Sequence, residues 1–344
     1  MRYSEMLEAL PADKSRHILL GNGFSIGCDK RFSYPNLFEY ACKNGLSDRA
    51  QGVFERLGTN NFEGVLRMLE DSLWTIRHYG FEDERLLAQI EEDLGTVKTS
   101  LVKAIAETHL EHTGEVADEK KATCVEFLKG YHNVFTTNYD LLLYWVAMAG
   151  PPQVREQDGF RLPIDEEEPK YLVFSEHTGP NRGMLFLHGA LHFYVVNGEV
   201  RKHCWELSGE RLTTLIRDGL QTGQYPLFVA EGEPDKKREQ IQRSGYLSFC
   251  LGKLERIKNT LVVYGHALSD EDQHILNTIA DNPDIERLCI GIFPDPESPE
   301  ATAIRKSVDN IVRRRQEWQQ KRPRKYKADL EVIYYDSKTA PVWQ

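Results

Sequence analysis

Long apolar segments are missing from this sequence. No stretch approaches the roughly 20 consecutive apolar residues that a membrane-spanning helix needs. Residues 1–17, MRYSEMLEALPADKSRH, are charged and polar, whereas a signal peptide has an apolar core in that position. We therefore expect a cytoplasmic protein with no membrane insertion.

Cysteine is sparse, and its spacing indicates no metal or redox module. The 344 residues include six cysteines, and no two of them stand at C-x-x-C spacing. Zinc modules and redox-active dithiols both use such pairs. We expect buried thiols in a reducing compartment, no zinc site and no other metal.

Basic residues are too few for a protein whose main task is to bind the backbone of nucleic acids. Lys and Arg number 43 against 53 Asp and Glu, which gives a net charge of -10. Proteins that bind nucleic acid without a local site depend on an excess of positive charge. Direct nucleic-acid binding is not expected, and an anionic ligand needs a local site.

Four short apolar runs are each followed directly by a polar motif. Ile18–Leu20 precedes GNGFSIG, Val134–Phe135 precedes TTNYD, Leu185–Leu187 precedes HGALH, and Leu261–Tyr264 precedes GHALSDED. Open parallel sheets bind ligands just beyond the carboxyl ends of their strands. If these runs are parallel strands, the four motifs converge on one crevice.

The periodicity of the chain predicts the fold class. Apolar residues at three-and-four spacing predict helices through residues 36–130, an insertion or cap after the first strand. Strands then alternate with helices, which predicts an α/β protein with a doubly wound, mostly parallel sheet. One large domain over residues 1–344 fits this pattern, and two domains remain possible. The pair Asn197-Gly198 indicates a tight β-hairpin within residues 190–205.

The first motif has two interpretations. Gly21 and Gly23 lack side chains that would keep backbone N–H groups away from a pyrophosphate, and the end of a following helix favours negative charge. However, the full G-x-G-x-x-G spacing is absent. A tight structural turn explains these glycines about as well.

The second and third motifs contain the candidate catalytic groups. Asn138 and Asp140 place an amide and a carboxylate at one strand end, and helix capping would need only one of them. His188 places an imidazole at another strand end, with Gly189 leaving room for a ligand. A lone histidine near a core is usually structural, but beside Asn138 and Asp140 it becomes a candidate catalytic group.

The fourth motif predicts a strand, a turn and a helix that starts with Ser269 as its N-cap and acidic residues in its first turn. A well-capped helix explains most of the pattern. Its functional interpretation is contact with a cofactor ribose through the backbone or the Ser269 hydroxyl.

The order GNGFS, TTNYD, LHG and GHALSD resembles the sirtuin-like superfamily, and most closely its bacterial members, including a large family once labelled only as a domain of unknown function. The closing VIYYDSKTAPVW is also similar to that family. The resemblance implies a Rossmann-like fold that binds NAD. By motif position, it implies a phosphate loop with Gly21, Asn22, Gly23 and Ser25, a nicotinamide-ribose side with Thr137, Asn138 and Asp140, a catalytic histidine at His188, and an adenosine side with Gly265, His266 and Ser269.

The sequence departs from the sirtuin deacylases in two places. Their zinc module needs four cysteines in pairs, whereas the hairpin at 190–205 stands in its place with only Cys204 nearby, and Asn22 replaces a usual alanine. The resemblance therefore favours the zinc-free branch that cleaves NAD, often in bacterial antiphage defence. It further implies NAD as substrate, a homo-oligomer, and a partner ATPase or nuclease.

The expected reaction is hydrolysis of NAD to nicotinamide and ADP-ribose or a cyclic product. Its transition state resembles an oxocarbenium ion, so placement and charge matter more than strong acid catalysis. In this hypothesis Asn138 orients ribose hydroxyls or water, Asp140 or its backbone holds the carboxamide, and His188 accepts a proton. The alternatives are a binding module that senses NAD or ADP-ribose and regulates a partner, and an NAD-dependent protein deacylase.

Overall fold

The computed structural model of the chain describes residues 1–344 except 81–82, 152–157, 165, 177–182, 231–233, 294, 296 and 327. The strands are β1 (Arg16–Leu20), β2 (Asn133–Thr136), β3 (Phe160–Arg161), β4 (Tyr171–Phe174), β5 (Gly183–Phe186), β6 (Gly189–Val196), β7 (Glu199–His203), β8 (Pro226–Phe228), β9 (Asn259–Tyr264), β10 (Ile285–Ile292) and β11 (Glu331–Asp336). The helices are α1 (Tyr3–Glu8), α2 (Asn22–Cys28), α3 (Tyr34–Lys43), α4 (Asp48–Leu57), α5 (Phe62–His78), α6 (Glu84–Thr108), α7 (Asp118–Lys129), α8 (Leu142–Ala149), α9 (Trp205–Ser208), α10 (Leu212–Gln221), α11 (Pro234–Arg243), α12 (Gly245–Leu254), α13 (Gln273–Asp281) and α14 (Pro299–Lys321).

The main sheet has six strands, all parallel, in the order β11-β10-β9-β1-β2-β5. The earliest strand lies inside the sheet, with the next two on one side and the last three on the other, which is the strand order of a Rossmann-like fold. Ile18, Leu19 and Leu20 of β1 have no exposed surface, as expected for a parallel strand covered on both faces. The predicted α/β, Rossmann-like, doubly wound fold is confirmed.

The four motif-bearing strands end at the same level. Leu20 is paired with Tyr264 of β9 on one side and with Thr136 of β2 on the other, and Thr136 is paired with Phe186 of β5. The strand order reverses between β1 and β9, and in doubly wound sheets the ligand crevice lies at such a reversal. All four polar motifs thus follow the carboxyl edge of one sheet.

A second sheet, not predicted as a separate layer, contains the expected hairpin. Its five strands are antiparallel in the order β3-β4-β7-β6-β8. Asn197 and Gly198 form the turn between β6 and β7 with φ values of 52° and 81°, the left-handed conformation that a tight two-residue turn requires. The hairpin is therefore the centre of a larger sheet, which also takes in strands from before β5 and after β7.

Helices α2 to α7 fill the chain between β1 and β2. Ser47 and Asn61 cap α4 and α5 by accepting hydrogen bonds from Ala50 N and Glu63 N, which satisfies free N–H groups of the first turns. Phe54 and Phe62 pack edge to face with ring centroids 5.1 Å apart. Local capping and aromatic packing therefore fix the start of α5, which reaches the candidate site.

The end of the described chain supports α2. The Trp343 ring lies 4.9 Å from the Phe24 ring, and its Nε1 donates a hydrogen bond of 2.6 Å to the Phe24 carbonyl. Both side chains are buried. The GNGFS motif and the closing VIYYDSKTAPVW segment are therefore in contact.

Among the described residues, no helix combines the length and apolar character that crossing a membrane would require.

Candidate functional site

The first motif forms a helix start. Helix α2 begins at Asn22 immediately after β1, and Gly23 N donates a 2.8 Å hydrogen bond to Gly265 O. A Cβ atom on Gly21 would lie 2.5 Å from the Cα of His266, and one on Gly23 would lie 2.6 Å from the Cα of Gly265. These glycines let the loop after β9 pack on α2, so the structural-turn interpretation accounts for both of them.

The Asn22 side chain stabilises the connection from α2 to the helices that follow it. Its Nδ2 donates a 3.1 Å hydrogen bond to Phe32 O, in the turn that leads to α3. This bond joins α2 to the beginning of the helical segment.

Ser25, Asn138 and Asp140 form a hydrogen-bonded group that we call the Ser25 cluster. Asn138 Nδ2 donates to Gly21 O at 3.0 Å and to Ser25 Oγ at 2.8 Å. Ser25 Oγ then donates to Asp140 Oδ2 at 2.5 Å. Because a backbone carbonyl and a carboxylate can only accept, these partners fix the direction of every bond and the orientation of the Asn138 amide. All three side chains are buried.

Capping explains only part of the TTNYD motif. Asp140 Oδ1 accepts a 2.9 Å hydrogen bond from Leu142 N, so one of its oxygens satisfies a free N–H group in the first turn of α8, from just before the N-cap position. Asn138 does not cap; its own N–H is bonded to Thr136 Oγ1 at 3.0 Å. Thr137 N donates to Leu20 O at 3.1 Å, which ties the end of β2 to the end of β1.

His188 follows β5 and is 1% exposed. Its Nε2 lies 3.0 Å from His274 Nε2 and 3.6 Å from Asp272 Oδ1. Burial lowers the pKa of His188 well below its usual value of 6.5, although the carboxylate of Asp272 opposes this shift. The imidazole is therefore neutral near pH 7 and can accept a proton.

A second group of buried side chains surrounds His188, and we call it the Asp272 cluster: His188, Asp272, His274, His266, Lys237 and Glu63. Lys237 Nζ donates to Asp272 Oδ1 at 3.0 Å and also to Glu63 Oε2. His266 Nε2 lies 3.3 Å from Asp272 Oδ2, and its Nδ1 accepts from Leu268 N at 2.9 Å. Charged side chains from α5, from α11 and from the segment after β9 thus lie around His188, the predicted base.

The pKa values of this cluster follow from burial and from these contacts. Burial alone would raise the pKa of Asp272, but Lys237, His188 and His266 outweigh it and hold the pKa well below 3.8. Burial lowers the pKa of His274 from 6.5 to about 4, against the effect of Asp272. Burial raises the pKa of Glu63, although Lys237 opposes the shift.

Tyr139 stands between Asn138 and Asp140 in the chain, and its side chain contacts the Asp272 cluster. Its ring is stacked on His188 with centroids 6.4 Å apart, and its hydroxyl donates to Val229 O at 2.6 Å and lies 3.4 Å from Glu63 Oε1. Within the described chain, no hydrogen bond connects His188 directly to Asn138 or Asp140. The predicted catalytic residues therefore divide between adjacent clusters.

The fourth motif differs from its prediction. Ser269 makes no side-chain capping bond; a 3-10 turn, Asp270–Asp272, follows it, and α13 begins only at Gln273. The prediction of a helix capped by Ser269 was wrong because this turn intervenes. The turn places Asp272 against Lys237, and this acidic residue is buried.

Gly189 also has a different role from the predicted one. Its φ is +82°, and a Cβ atom there would lie 2.0 Å from Leu227 O of β8. The missing side chain makes room for the backbone of β8, where a ligand had been expected.

Sequence reasoning missed several residues of the site. Asp272 and His274 stand in or next to the fourth motif, so that motif was a usable signal. His109, whose Nε2 accepts a 3.0 Å hydrogen bond from Leu141 N, comes from the end of α6 and has no sequence signal. Burial lowers the pKa of His109, with Asp140 opposing the shift.

Two sets of atoms can hold a ligand. Both hydrogen bonds of the Asn138 side chain use Nδ2, so its Oδ1 has no hydrogen-bond partner among the described residues and can accept from a ligand. In the Asp272 cluster, His188, Asp272 and His274 each offer one metal-ligand atom, all within 4.8 Å of one another. The half-buried residues Asn22, Gly23, Thr137, Gly265 and Ser269 lie at the same sheet edge.

A comparison with curated proteins found no match for this chain. A family model, described as a domain of unknown function (DUF4917), matches residues 18–343, which includes both clusters and all four strand ends. The chain belongs to this family.

Proposed function

We propose that this protein is a sirtuin-like NAD+ hydrolase that cleaves the bond between nicotinamide and ribose. The observation that carries the proposal is the fixed amide of Asn138, whose Nδ2 is bonded to Gly21 O and Ser25 Oγ. It lies at the carboxyl edge of a Rossmann-like sheet, where dinucleotides bind. A neutral imidazole, His188, follows the adjacent strand end.

In this proposal Asn138 contacts the substrate and Asp140 positions Asn138. The free Oδ1 of Asn138 accepts a hydrogen bond from a ribose hydroxyl or from the attacking water. Both oxygens of Asp140 are already bonded, to Ser25 Oγ and Leu142 N, so its side chain acts through Ser25. Positioning of this kind lowers the barrier because the reacting groups are held in place before reaction.

His188 is the proposed general base. Its low pKa leaves the ring neutral at physiological pH, which is the state that can take a proton from a ribose hydroxyl or from water. The neighbouring Asp272 stabilises the imidazolium that forms when the proton arrives.

The sequence resemblance extends the proposal to the cellular setting. It suggests a cytoplasmic, homo-oligomeric enzyme of antiphage defence that works beside a partner ATPase or nuclease. These features are part of the proposal only through that resemblance.

The test is release of nicotinamide from NAD by the purified protein, followed by chromatography. Asn138→Ala and His188→Ala should each lower the rate about a hundredfold to ten-thousandfold, because each removes a well-placed catalytic group. Asn44→Ala and His132→Ala are matched controls at exposed positions and should cleave NAD like the parent. Circular dichroism checks that each variant is folded.

The outcomes separate the three functions. Parent-like cleavage by folded Asn138→Ala and His188→Ala would contradict the assignment of these residues. Binding of NAD or ADP-ribose by calorimetry without nicotinamide release would favour a sensing module. Nicotinamide release that requires an acylated peptide would favour a deacylase.

A further inference from the structure

We propose that His188, His274 and Asp272 form a binding site for a divalent transition-metal cation such as Zn²⁺, and that the bound cation blocks NAD cleavage. The blocking half of this inference rests on the proposed function. The binding half does not depend on that function.

The distances between the three side chains suit one small cation. The Nε2 atoms of His188 and His274 face each other at 3.0 Å, and Asp272 Oδ1 lies 3.6 Å from His188 Nε2. Tetrahedral zinc bonds of about 2.0–2.2 Å place neighbouring ligand atoms about 3.3 Å apart. These two distances lie on either side of that spacing, and all three ligand atoms lie within 4.8 Å of one another. A cation between the two Nε2 atoms replaces the proton of their hydrogen bond, which moves to an Nδ1 atom of the same pair of rings.

The donor set is chemically suitable. Two imidazoles and one carboxylate are ligands that zinc and similar cations accept, and three protein ligands leave a fourth position for water. Both imidazoles are neutral near pH 7 because burial lowers their pKa values, and a metal binds the neutral ring. His274 Nδ1 has no hydrogen-bond partner among the described residues, so the polar contacts of this ring are made at Nε2.

The local charge permits a cation. Lys237 is the nearest positive group, and it contacts Glu63 as well as Asp272. Its contact with Asp272 is at Oδ1, the proposed ligand atom, so the two carboxylates share one ammonium. With neutral imidazoles the cluster carries one negative charge in excess, which favours binding of a cation in a buried site.

Metal binding would remove the proposed base. A lone pair of His188 that is bound to a cation cannot accept a proton from ribose or water. NAD cleavage should therefore stop when the site is filled and return when a chelator removes the metal.

The binding test uses Co²⁺ as a probe in the full-length protein. Titration should produce the visible absorption of four-coordinate Co²⁺ up to one equivalent, and Zn²⁺ should displace it. His274→Gln should lose this signal, whereas His192→Gln, which changes a buried histidine outside the cluster, should keep it. Equal absorption from the parent and a folded His274→Gln would overturn the site.

A second measurement distinguishes loss of the metal site from loss of folding in a variant. A ligand that binds only the folded state raises the melting temperature, so Zn²⁺ should raise that of the parent and leave that of Asp272→Asn unchanged. If the parent shows neither a Co²⁺ signal nor thermal stabilisation, the proposal fails whatever the variants do.

The activity test separates this inference from the proposed function. Zn²⁺ should inhibit nicotinamide release in the range that fills the Co²⁺ site, and EDTA should restore it. Co²⁺ binding through His274 in a protein that never cleaves NAD would keep the site and reject the proposed function. Unchanged or faster cleavage by a metal-filled protein would overturn the blocking role.

Discussion

At the scale of single residues, the hydroxyl of Ser25 links the other two members of the Ser25 cluster. It accepts one hydrogen bond from Asn138 and donates one to Asp140. A hydroxyl is the smallest side-chain group that can do both. Its loss would leave a buried amide proton and a buried carboxylate oxygen without their partner.

We predict that Ser25→Ala lowers the free energy of unfolding by about 1–3 kcal/mol, the cost of leaving buried polar groups unsatisfied. Ser72→Ala is the matched control, because the Ser72 hydroxyl donates to Met68 O of its own helix, near solvent. That change should stay within about 0.5 kcal/mol. Urea unfolding measures both, and equal midpoints would show that the Ser25 cluster contributes nothing to stability.

The sequence predicted some residues of the candidate site and not others. Asn138 and His188 follow apolar runs, so the strand-end rule predicted both. Glu63 and Lys237 belong to helices with many charged residues, where an acidic or basic side chain is usually solvated. These two side chains are buried because α5 and α11 both pack on the turn that carries Asp272. No local pattern reports such long-range packing.

At the scale of elements, the parallel strands were predictable and the second sheet was not. The runs in β1 and β9 are apolar on both faces because helices cover them, which gives a strong signal. Strands β4 and β8 have only four and three residues, and their sheet membership depends on pairing with the hairpin. Short strands carry little periodicity, so pairing must be seen in three dimensions.

The contact between the β9 loop and α2 leads to a prediction at this scale. Gly265 has a φ of +65°, and a Cβ atom there would lie 2.7 Å from Gly23 Cα. Gly58 has nearly the same φ, +61°, with nothing within 4 Å of its Cβ position. Gly58→Ala should therefore cost only the left-handed backbone strain of about 1–2 kcal/mol.

Gly265→Ala should cost roughly 1–3 kcal/mol more than Gly58→Ala, because the overlap with backbone atoms of α2 forces the two elements apart. Thermal and urea unfolding of the two variants isolate this steric part, since the backbone strain is common to both. If the two changes are equally destabilising, the close approach of the β9 loop to α2 is not a constraint on the fold.

At the scale of the whole molecule, one buried group of charges ties distant parts of the chain together. Glu63 lies on α5 of the helical segment, Lys237 on α11, and Asp272 in the turn after β9. Lys237 has no exposed surface and contacts both carboxylates. The helical segment is therefore joined to the sheet edge by ionic contacts beside the proposed base, as well as by apolar packing.

Lys237→Met tests how strongly this connection holds the molecule. Removing the ammonium leaves two carboxylates buried close together, and breaking a buried ion pair from one side usually costs about 3–5 kcal/mol. Lys43→Met is the control, because Lys43 pairs with Glu39 at 2.6 Å and both side chains are exposed, by 69% and 64%. Exposed pairs contribute about 1 kcal/mol or less. Urea unfolding at pH 7 should show a much lower midpoint for Lys237→Met, still in a single transition, because the charges join parts of one cooperative unit. A loss no greater than that of Lys43→Met would mean that Glu63 and Asp272 do not depend on Lys237 for their burial.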